Sequence, residues 1–417
     1  MIIEIEKSTA KGNIEVVRSK SYLHRFLIVA SLAKGKSLIN NITLNEDVEA
    51  TILALKALGA KIDINNNTIE VEGIKDVKKN IYFDAFSSAT TLRLMMPVLT
   101  ALGVSAKIKM SSQLKKRPLD VYKKIYMENN LTFKEEDNYI YIEGKINPGK
   151  FMIPGHISSQ FVSGLLLALP LLDGDSNIYL TTPLESYSYV DLTIDVLNKA
   201  NVKIENKNNS YYVKGKQEYH SFVTTVEIDY SNASYIDVYN YFNGCVNIKD
   251  LTFDSIQKDK DYKKYFSALM TDFTTIDIRN NIDLGPILFV FASLKHGGKF
   301  IGTKRLMLKE SNRVLCMLEE LTKFGVNSSI NDDEVVIYPS KLHYPKKQLD
   351  SHDDHRIAMA LCLIMSIYGG KLKKAECVNK SYPTFYQDLS KIGIKIKNIG
   401  EENLWTWILK ESYQFLN

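Results

Sequence analysis

ALKALGAKIDINNNTIEVEG, residues 54–73, is the stretch from which the fold can be read. Its first part has apolar residues at helical spacing and stops at Gly59. KIDI (61–64) and TIEVE (68–72) then alternate apolar and polar residues around the turn Asn65-Asn66-Asn67. The same order of helix, glycine or asparagine, strand, turn and strand returns in VLNKANVKIENKNNSYYVKG (196–215) and EELTKFGVNSSINDDEVVIYP (319–339). Helical patterns at 88–102, 116–129 and 158–170 are each followed by short strand patterns: at 106–110, at 131–134 with 139–144, and at 176–180. Ahead of them a helix is predicted at 21–34, a strand at 37–41 and a helix at 46–58. The repeat is roughly sixty residues long. Its long helices argue against a propeller, and a solenoid would need more repeats than can be counted. Two domains built of several such α+β units fit better. Residues 395–409, with Trp405 and Trp407, read as closing strands.

The bulk properties agree with this organisation. At 417 residues and 45% hydrophobic content, the chain is long for one core, so two domains are the natural expectation. Pro (10) and Gly (21) are sparse, and no Pro/Gly/Ser-rich linker marks a boundary. The net charge of +5 is mild for this size. It suits small anionic substrates as well as it would a nucleic acid. The aromatic residues are not interleaved with a Lys/Arg stripe in a recognisable nucleic-acid module. The four cysteines, Cys245, Cys316, Cys362 and Cys377, form no C-x-x-C pair, so neither a disulfide framework nor a zinc site is expected. The N-terminal MIIEIEKSTAKGN has no apolar signal core, and no run of 18 apolar residues occurs. A cytoplasmic protein with no membrane partner is therefore expected.

The cations fall at helix starts. Arg18-Ser19-Lys20-Ser21 opens one helix, with Arg25 a turn further on. Ser158-Ser159-Gln160, Lys309-Glu310-Ser311-Asn312-Arg313 and Asp353-Asp354-His355-Arg356 open three more. A helix N-terminus presents free N–H groups and partial positive charge, so Ser and Lys added there suit phosphate. Several such starts on one chain suit substrates carrying more than one phosphate or carboxylate. Each cluster also has an ordinary reading. Ser158 and Asp283 could be helix caps, and Lys20 a solvated lysine. Lys309, Glu310 and Arg313 could form a surface ion-pair ladder. His352 and His355 lie three apart beside Arg356 with no cysteine near, so no metal is expected there.

Order and spacing make these motifs specific as a set. SKSYLHR (19–25), SATTLR (88–93), KKRPLD (115–120), HISSQFVSGLLLALPLL (156–172), ESYSYVDLT (185–193), LKESNR (308–313), DDHRIAMA (353–360) and NKSYPTF (379–385) occur in one series. In that series the chain resembles, nearly end to end, the 5-enolpyruvylshikimate-3-phosphate synthase family of enolpyruvyl transferases. The resemblance implies an α+β fold of two similar domains. Each would be three βαβαββ repeats about a pseudo-three-fold axis, an inside-out α/β barrel, with the active site in the interdomain cleft. The domains would take residues 1–16 plus 230–417 and residues 17–229. The implied reaction transfers the enolpyruvyl group of phosphoenolpyruvate to the 5-hydroxyl of shikimate 3-phosphate and releases phosphate. It would serve aromatic amino acid biosynthesis through chorismate, in a monomer without cofactor or metal.

By position, the resemblance assigns Lys20, Ser21, Arg25, Ser158, Ser159, Ser186, Tyr189, Asp283 and Lys309 to shikimate 3-phosphate. Lys20, Ala89, Arg117, Gln160, Arg313, Arg356 and Lys380 would hold phosphoenolpyruvate, with Arg93 as nearby support. Arginine suits both anions because its planar fork pairs bidentately with carboxylate and phosphate. Asp283, in NNIDLGPILFVFASL (280–294), would be the base toward the attacking hydroxyl. Glu310, with Lys20, would carry the proton to the methylene carbon, and His355 would polarise or relay near the same centre. The rival within the enolpyruvyl transferases acts on UDP-N-acetylglucosamine. It uses a Lys-Asn pair and usually a loop cysteine, whereas Lys20 precedes Ser21 and the first cysteine is Cys245. A non-catalytic anion- or nucleic-acid-binding homologue is disfavoured by the retained Lys20, Asp283, Glu310, Arg313, His355 and Lys380.

The chain departs from the family pattern at several points. Val17-Arg18 replaces Pro-Gly, His24 replaces Asn, and Arg305 stands where some members have Asn. Phe86-Ser87-Ser88-Ala89-Thr90 replaces a turn with two glycines, and Ala89 takes the glycine that lines the phosphoenolpyruvate site. The added methyl narrows that site. Glyphosate, slightly longer than phosphoenolpyruvate, is therefore expected to inhibit poorly, and tight inhibition in a steady-state assay would contradict this.

Overall fold

The computed structural model describes residues 1–399, so the expected strands beyond Asn398, with Trp405 and Trp407, lie outside the described residues. Within these limits the chain divides into two compact units. One comprises Val17–Asp229 with Asp254–Lys258; the other comprises Met1–Val16, Tyr230–Phe253 and residues 259–399.

The first unit shows why the quoted stretch is decisive. Strand Lys36–Asn40 pairs in parallel with Val223–Thr225 and antiparallel with Thr68–Glu72, which pairs antiparallel with Lys61–Asn65. A second sheet has the same order and directions: Asn80–Asp84, Ser105–Lys109, Tyr139–Glu143, Thr132–Glu136. A third repeats it: Lys150–Pro154, Ser176–Thr182, Ser210–Val213, Ile204–Lys207. Each hairpin is turned by Asn or Asp residues that accept positive φ, Asn66 (53°), Asp137 (29°) and Asn208 (47°).

In the other unit two sheets keep this plan. One is Thr274–Asp277, Gly298–Ile301, Glu334–Tyr338, Asn327–Asn331; the other is Leu349–Asp350, Gly370–Lys373, Ile2–Ile5, Ile396–Asn398. The third is reduced to the parallel pair Lys11–Ile14 and Cys245–Ile248. The expected three full repeats thus become two and a remnant, because the chain after Ile248 runs into a 3-10 turn (Lys258–Asp261) without forming the hairpin.

The helices are inside and the sheets outside. Helix Ala89–Ala101 is apolar almost all round, and 12 of its 13 residues are buried, Thr90 being the exception. It crosses helix Ser159–Ala168 so closely that a Cβ on Gly164 would lie 2.5 Å from the Arg93 carbonyl oxygen. Helix Gly285–Ser293 is buried on every face. The strands instead alternate buried and more exposed positions, as in Tyr139–Glu143 and Glu334–Tyr338. One expected helix is shorter than the 116–129 pattern suggests. It begins at Asp120, after a separate turn Ser112–Lys115, because Pro118 disfavours helical geometry at Arg117.

His24 ties three central helices together. It is fully buried on helix Lys20–Leu32, with Nδ1 2.7 Å from the Thr51 hydroxyl of helix Glu46–Leu58. That hydroxyl lies 2.7 Å from the hydroxyl of Thr91 on helix Ala89–Ala101. Burial pushes the His24 imidazole down from 6.5 to about 3. The unfolded chain therefore takes up a proton near 6.5 that the folded one refuses. Stability is full above that pH and is lost progressively as pH falls toward 3. His24→Asn should flatten this acid limb: its unfolding midpoint will fall less between pH 6.5 and 4 than that of the parent, and parallel curves would contradict the assignment.

Candidate active site

The sequence-predicted residues fall into two clusters, one in each unit. In the unit of Val17–Asp229 they gather at helix N-termini. Ser19 caps helix Lys20–Leu32, its hydroxyl accepting from the Tyr22 N–H, while Asp229 accepts from the Lys20 N–H at 3.3 Å. The Lys20 ammonium lies 2.7 Å from the Asp47 carboxylate, and only 4% of the Asp47 side chain is exposed. Asp47 escaped sequence reasoning because acids in a helix first turn are ordinary.

Arg25 is buried among neutral oxygens. It donates to the Thr193 hydroxyl (2.7 Å), the Ser21 carbonyl (2.7 Å), the Tyr189 carbonyl (3.1 Å) and the Ser163 hydroxyl (3.3 Å). Burial lowers it to about 10. None of these partners is a carboxylate, so the cation remains electrostatically uncompensated by its hydrogen bonds and favours an anion nearby. Ser186 is buried and holds φ of +53°. A serine in this left-handed geometry stores strain, the kind that clusters where binding requires a fixed main chain.

Arg93 organises a second group. It donates to Gln160 Oε1 (3.0 Å), to the Ser158 hydroxyl (3.4 Å) and to the carbonyl of Pro118 (2.7 Å), next to Arg117. Its guanidinium also lies over the Phe161 ring, 4.8 Å from the centroid. Ser158 caps helix Ser159–Ala168, Ser159 is buried in its first turn, and Gln160 donates to Thr90. Ala89 is the first residue of its helix, after the cap Ser88, and is buried. Arg93 thus brings Ser158, Gln160 and the Arg117 turn together beside Ala89 and Thr90.

The second cluster centres on Arg313, which is 1% exposed. Its guanidinium donates to Asp354 (2.8 and 3.2 Å), Asp283 (2.8 Å) and Glu310 (2.7 Å). Lys309 lies 3.0 Å from Asp283, and Lys380 lies 3.5 Å from Glu310. This is no surface ladder: it is a buried node of alternating charge. Asp283 sits in the 3-10 turn Ile282–Leu284, directly ahead of helix Gly285–Ser293, whose N-cap is Leu284. Burial pushes its carboxyl up, but Lys309, Arg313 and Arg356 outweigh that and hold it well below the usual range. Burial lowers Lys309 to about 8, assisted by Arg313 and Arg305 and opposed by Asp283.

Asp354 is the residue that sequence reasoning missed as a site component. It caps helix His355–Tyr368, accepts from the Ser311 hydroxyl and grips Arg313. Its place in the string Asp-Asp-His-Arg suggested a helix start and gave no sign of a partner 41 residues away. His355 is buried, with Nδ1 3.9 Å from Asp354, and Arg356 donates to Asn232 at 3.2 Å. Apart from this node, Glu319, Glu320 and His352 bring possible ligand atoms within 4.8 Å of one another. Glu320 there is engaged by Lys323, His352 and the Asp350 N–H.

A cluster of cations interleaved with carboxylates suits polyanionic substrates and proton transfer. Comparison with known proteins points the same way. The family model described as EPSP synthase (3-phosphoshikimate 1-carboxyvinyltransferase) matches residues 5–389. The 3-phosphoshikimate 1-carboxyvinyltransferase of Clostridium novyi is 37% identical, the match covering 94% of this chain and 97% of that one. The protein of the same name from Clostridium kluyveri is 36% identical over 97% and 99%. The solved EPSP synthase of Acinetobacter baumannii shares the fold, with a TM-score of 0.76 at 20% identity over 95% of this chain and 99% of that one. Matched over nearly its whole length by model and relatives alike, the chain belongs to the EPSP synthase (3-phosphoshikimate 1-carboxyvinyltransferase) family.

Proposed function

We propose that this chain is the enzyme that transfers the carboxyvinyl group of phosphoenolpyruvate to the 5-hydroxyl of shikimate 3-phosphate, in aromatic amino acid biosynthesis. The observation that carries the assignment of roles is the Arg313 node, where two candidate proton-transfer carboxylates, Asp283 and Glu310, share one buried guanidinium.

The reaction adds the hydroxyl to the central carbon of phosphoenolpyruvate while its methylene carbon takes a proton; the methyl group so formed then gives up a proton as phosphate leaves, which restores the double bond. Asp283 accepts the hydroxyl proton. In the free chain it is a weak base, because Lys309, Arg313 and Arg356 stabilise its charge. A phosphate and a carboxylate beside those cations compete for their charge and raise its basicity. Glu310, held between Arg313 and Lys380, delivers the proton to the methylene carbon with Lys20, and His355 relays or polarises. Arg117, Gln160, Arg313, Arg356 and Lys380 bind phosphoenolpyruvate, with the Ala89 methyl narrowing the site. Lys20, Ser21, Arg25, Ser158, Ser159, Ser186, Tyr189 and Lys309 bind shikimate 3-phosphate. Arg25 acts chiefly as a buried charge that sets the field and holds the Tyr189 main chain.

Phosphate release should require both substrates, and release with either one omitted would refute the activity. Lys20→Met and Glu310→Gln should each cut turnover by about 10²-fold or more, and near-normal activity in either would refute the roles given. Lys309 attracts anions only while protonated, so kcat/KM for shikimate 3-phosphate should fall as pH rises through about 8. Lys309→Arg should move that limb upward, and a limb unmoved by the substitution would exclude Lys309 as its origin.

A further inference from the structure

The proposed base and the proposed phosphoenolpyruvate arginine are both attached to one helix whose residues have no role in the reaction so far. Helix Tyr230–Asp237 is buried along its whole length. Its Tyr235 hydroxyl donates to the main-chain carbonyl of Asp283 at 3.3 Å. The face of the same ring carries the Arg356 guanidinium, 5.5 Å from the centroid. One turn earlier, Asn232 accepts from Arg356 at 3.2 Å and donates to the carbonyl of Ser381, the neighbour of Lys380, at 3.5 Å.

A second connection reaches the Asp283 turn through Asn281. Ser231 donates to Asp259, which accepts from Asn281 at 3.3 Å, and Asn281 accepts from the Tyr265 hydroxyl at 2.8 Å. The turn that carries Asp283 is therefore fixed at residue 281 and at residue 283 by bonds that lead back to one rigid helix.

From this geometry we infer that Tyr235 and Asn232 are positioning residues that set the spacing between the base and the phosphoenolpyruvate clamp. The inference rests on the roles given above to Asp283 and Arg356. Tyr235 divides its work between two atoms groups: the hydroxyl orients the Asp283 turn, and the ring face holds Arg356 in the plane that a carboxylate or phosphate needs. Asn232 fixes the guanidinium edge. Small displacements of reacting groups are costly in rate, whereas a loosened arginine costs binding, so the two parts separate kinetically.

Steady-state kinetics on purified variants with both substrates test this. Tyr235→Phe keeps the ring and should lower kcat about five- to tenfold while leaving KM for phosphoenolpyruvate within about twofold. Tyr235→Leu should in addition raise that KM about tenfold, and Asn232→Ala should raise it with kcat near that of the parent. Melting temperatures measured alongside separate this from simple destabilisation. Variants that melt earlier yet keep the parental kcat and KM when folded would overturn the inference, leaving the function of the chain intact. Loss of phosphoenolpyruvate affinity without loss of kcat in Tyr235→Phe would also overturn it. A parent chain that releases no phosphate from the two substrates would overturn both the inference and the reading beneath it.

Discussion

A guanidinium buried among three carboxylates is the constraint on which the packing around helix Arg313–Lys323 depends. Arg313 joins the helix it begins to the Asp283 turn, to Glu310 and to the cap of helix His355–Tyr368. Breaking a buried ionic contact by removing one partner typically costs about 3–5 kcal/mol, because the remaining charge stays buried. The node therefore locks three segments distant in sequence into one arrangement. It also sets the electrostatics: Lys309, Arg313 and Arg356 together hold the Asp283 carboxyl well below the usual carboxylate range despite its burial.

Much of the fold was legible because it repeats. A helix ended by glycine or asparagine, followed by two alternating runs around an asparagine or aspartate turn, is a local signal that tertiary context does not overrule. The four helix starts singled out for their polar clusters are helix starts in the structure, capped by Ser19, Ser158, Asn312 and Asp354. What was not legible is non-local. The reduced sheet at Cys245–Ile248 reflects a hairpin that is missing, and a short strand pattern does not announce its partners. Asp47 looks like a routine first-turn acid and Asp354 like a routine helix cap, and only the folded chain reveals which cation each holds. Tyr235 and Asn232 lie on a helix whose burial on every side hides any functional face.

The departures from the family pattern are absorbed in different ways. Arg18 keeps an ordinary main-chain role, bridging Ile228 and donating its N–H to Thr43. His24 replaces an amide with a buried neutral imidazole and so exchanges pH tolerance for a link among three helices. Phe86 keeps a positive φ of 48° where glycine would be at ease, and the residue is 40% exposed. That conformation costs about 1–2 kcal/mol for a residue with a Cβ; the Phe86 N–H donates to the Asp84 carboxylate and its carbonyl accepts from the Ser111 N–H, and both bonds help to hold it. The turn before Ala89 thus keeps a glycine-like path without its glycine.

The central claim is that the charge state of the Arg313 node is set by the anions it receives. Calorimetric titration of the protein with shikimate 3-phosphate alone at pH 8, in two buffers of different ionisation heat, measures the protons exchanged on binding. Lys309 titrates near 8 in the free chain, so an arriving phosphate should draw a proton onto it and give net proton uptake. Binding with no proton exchange, or with net release, would contradict the account.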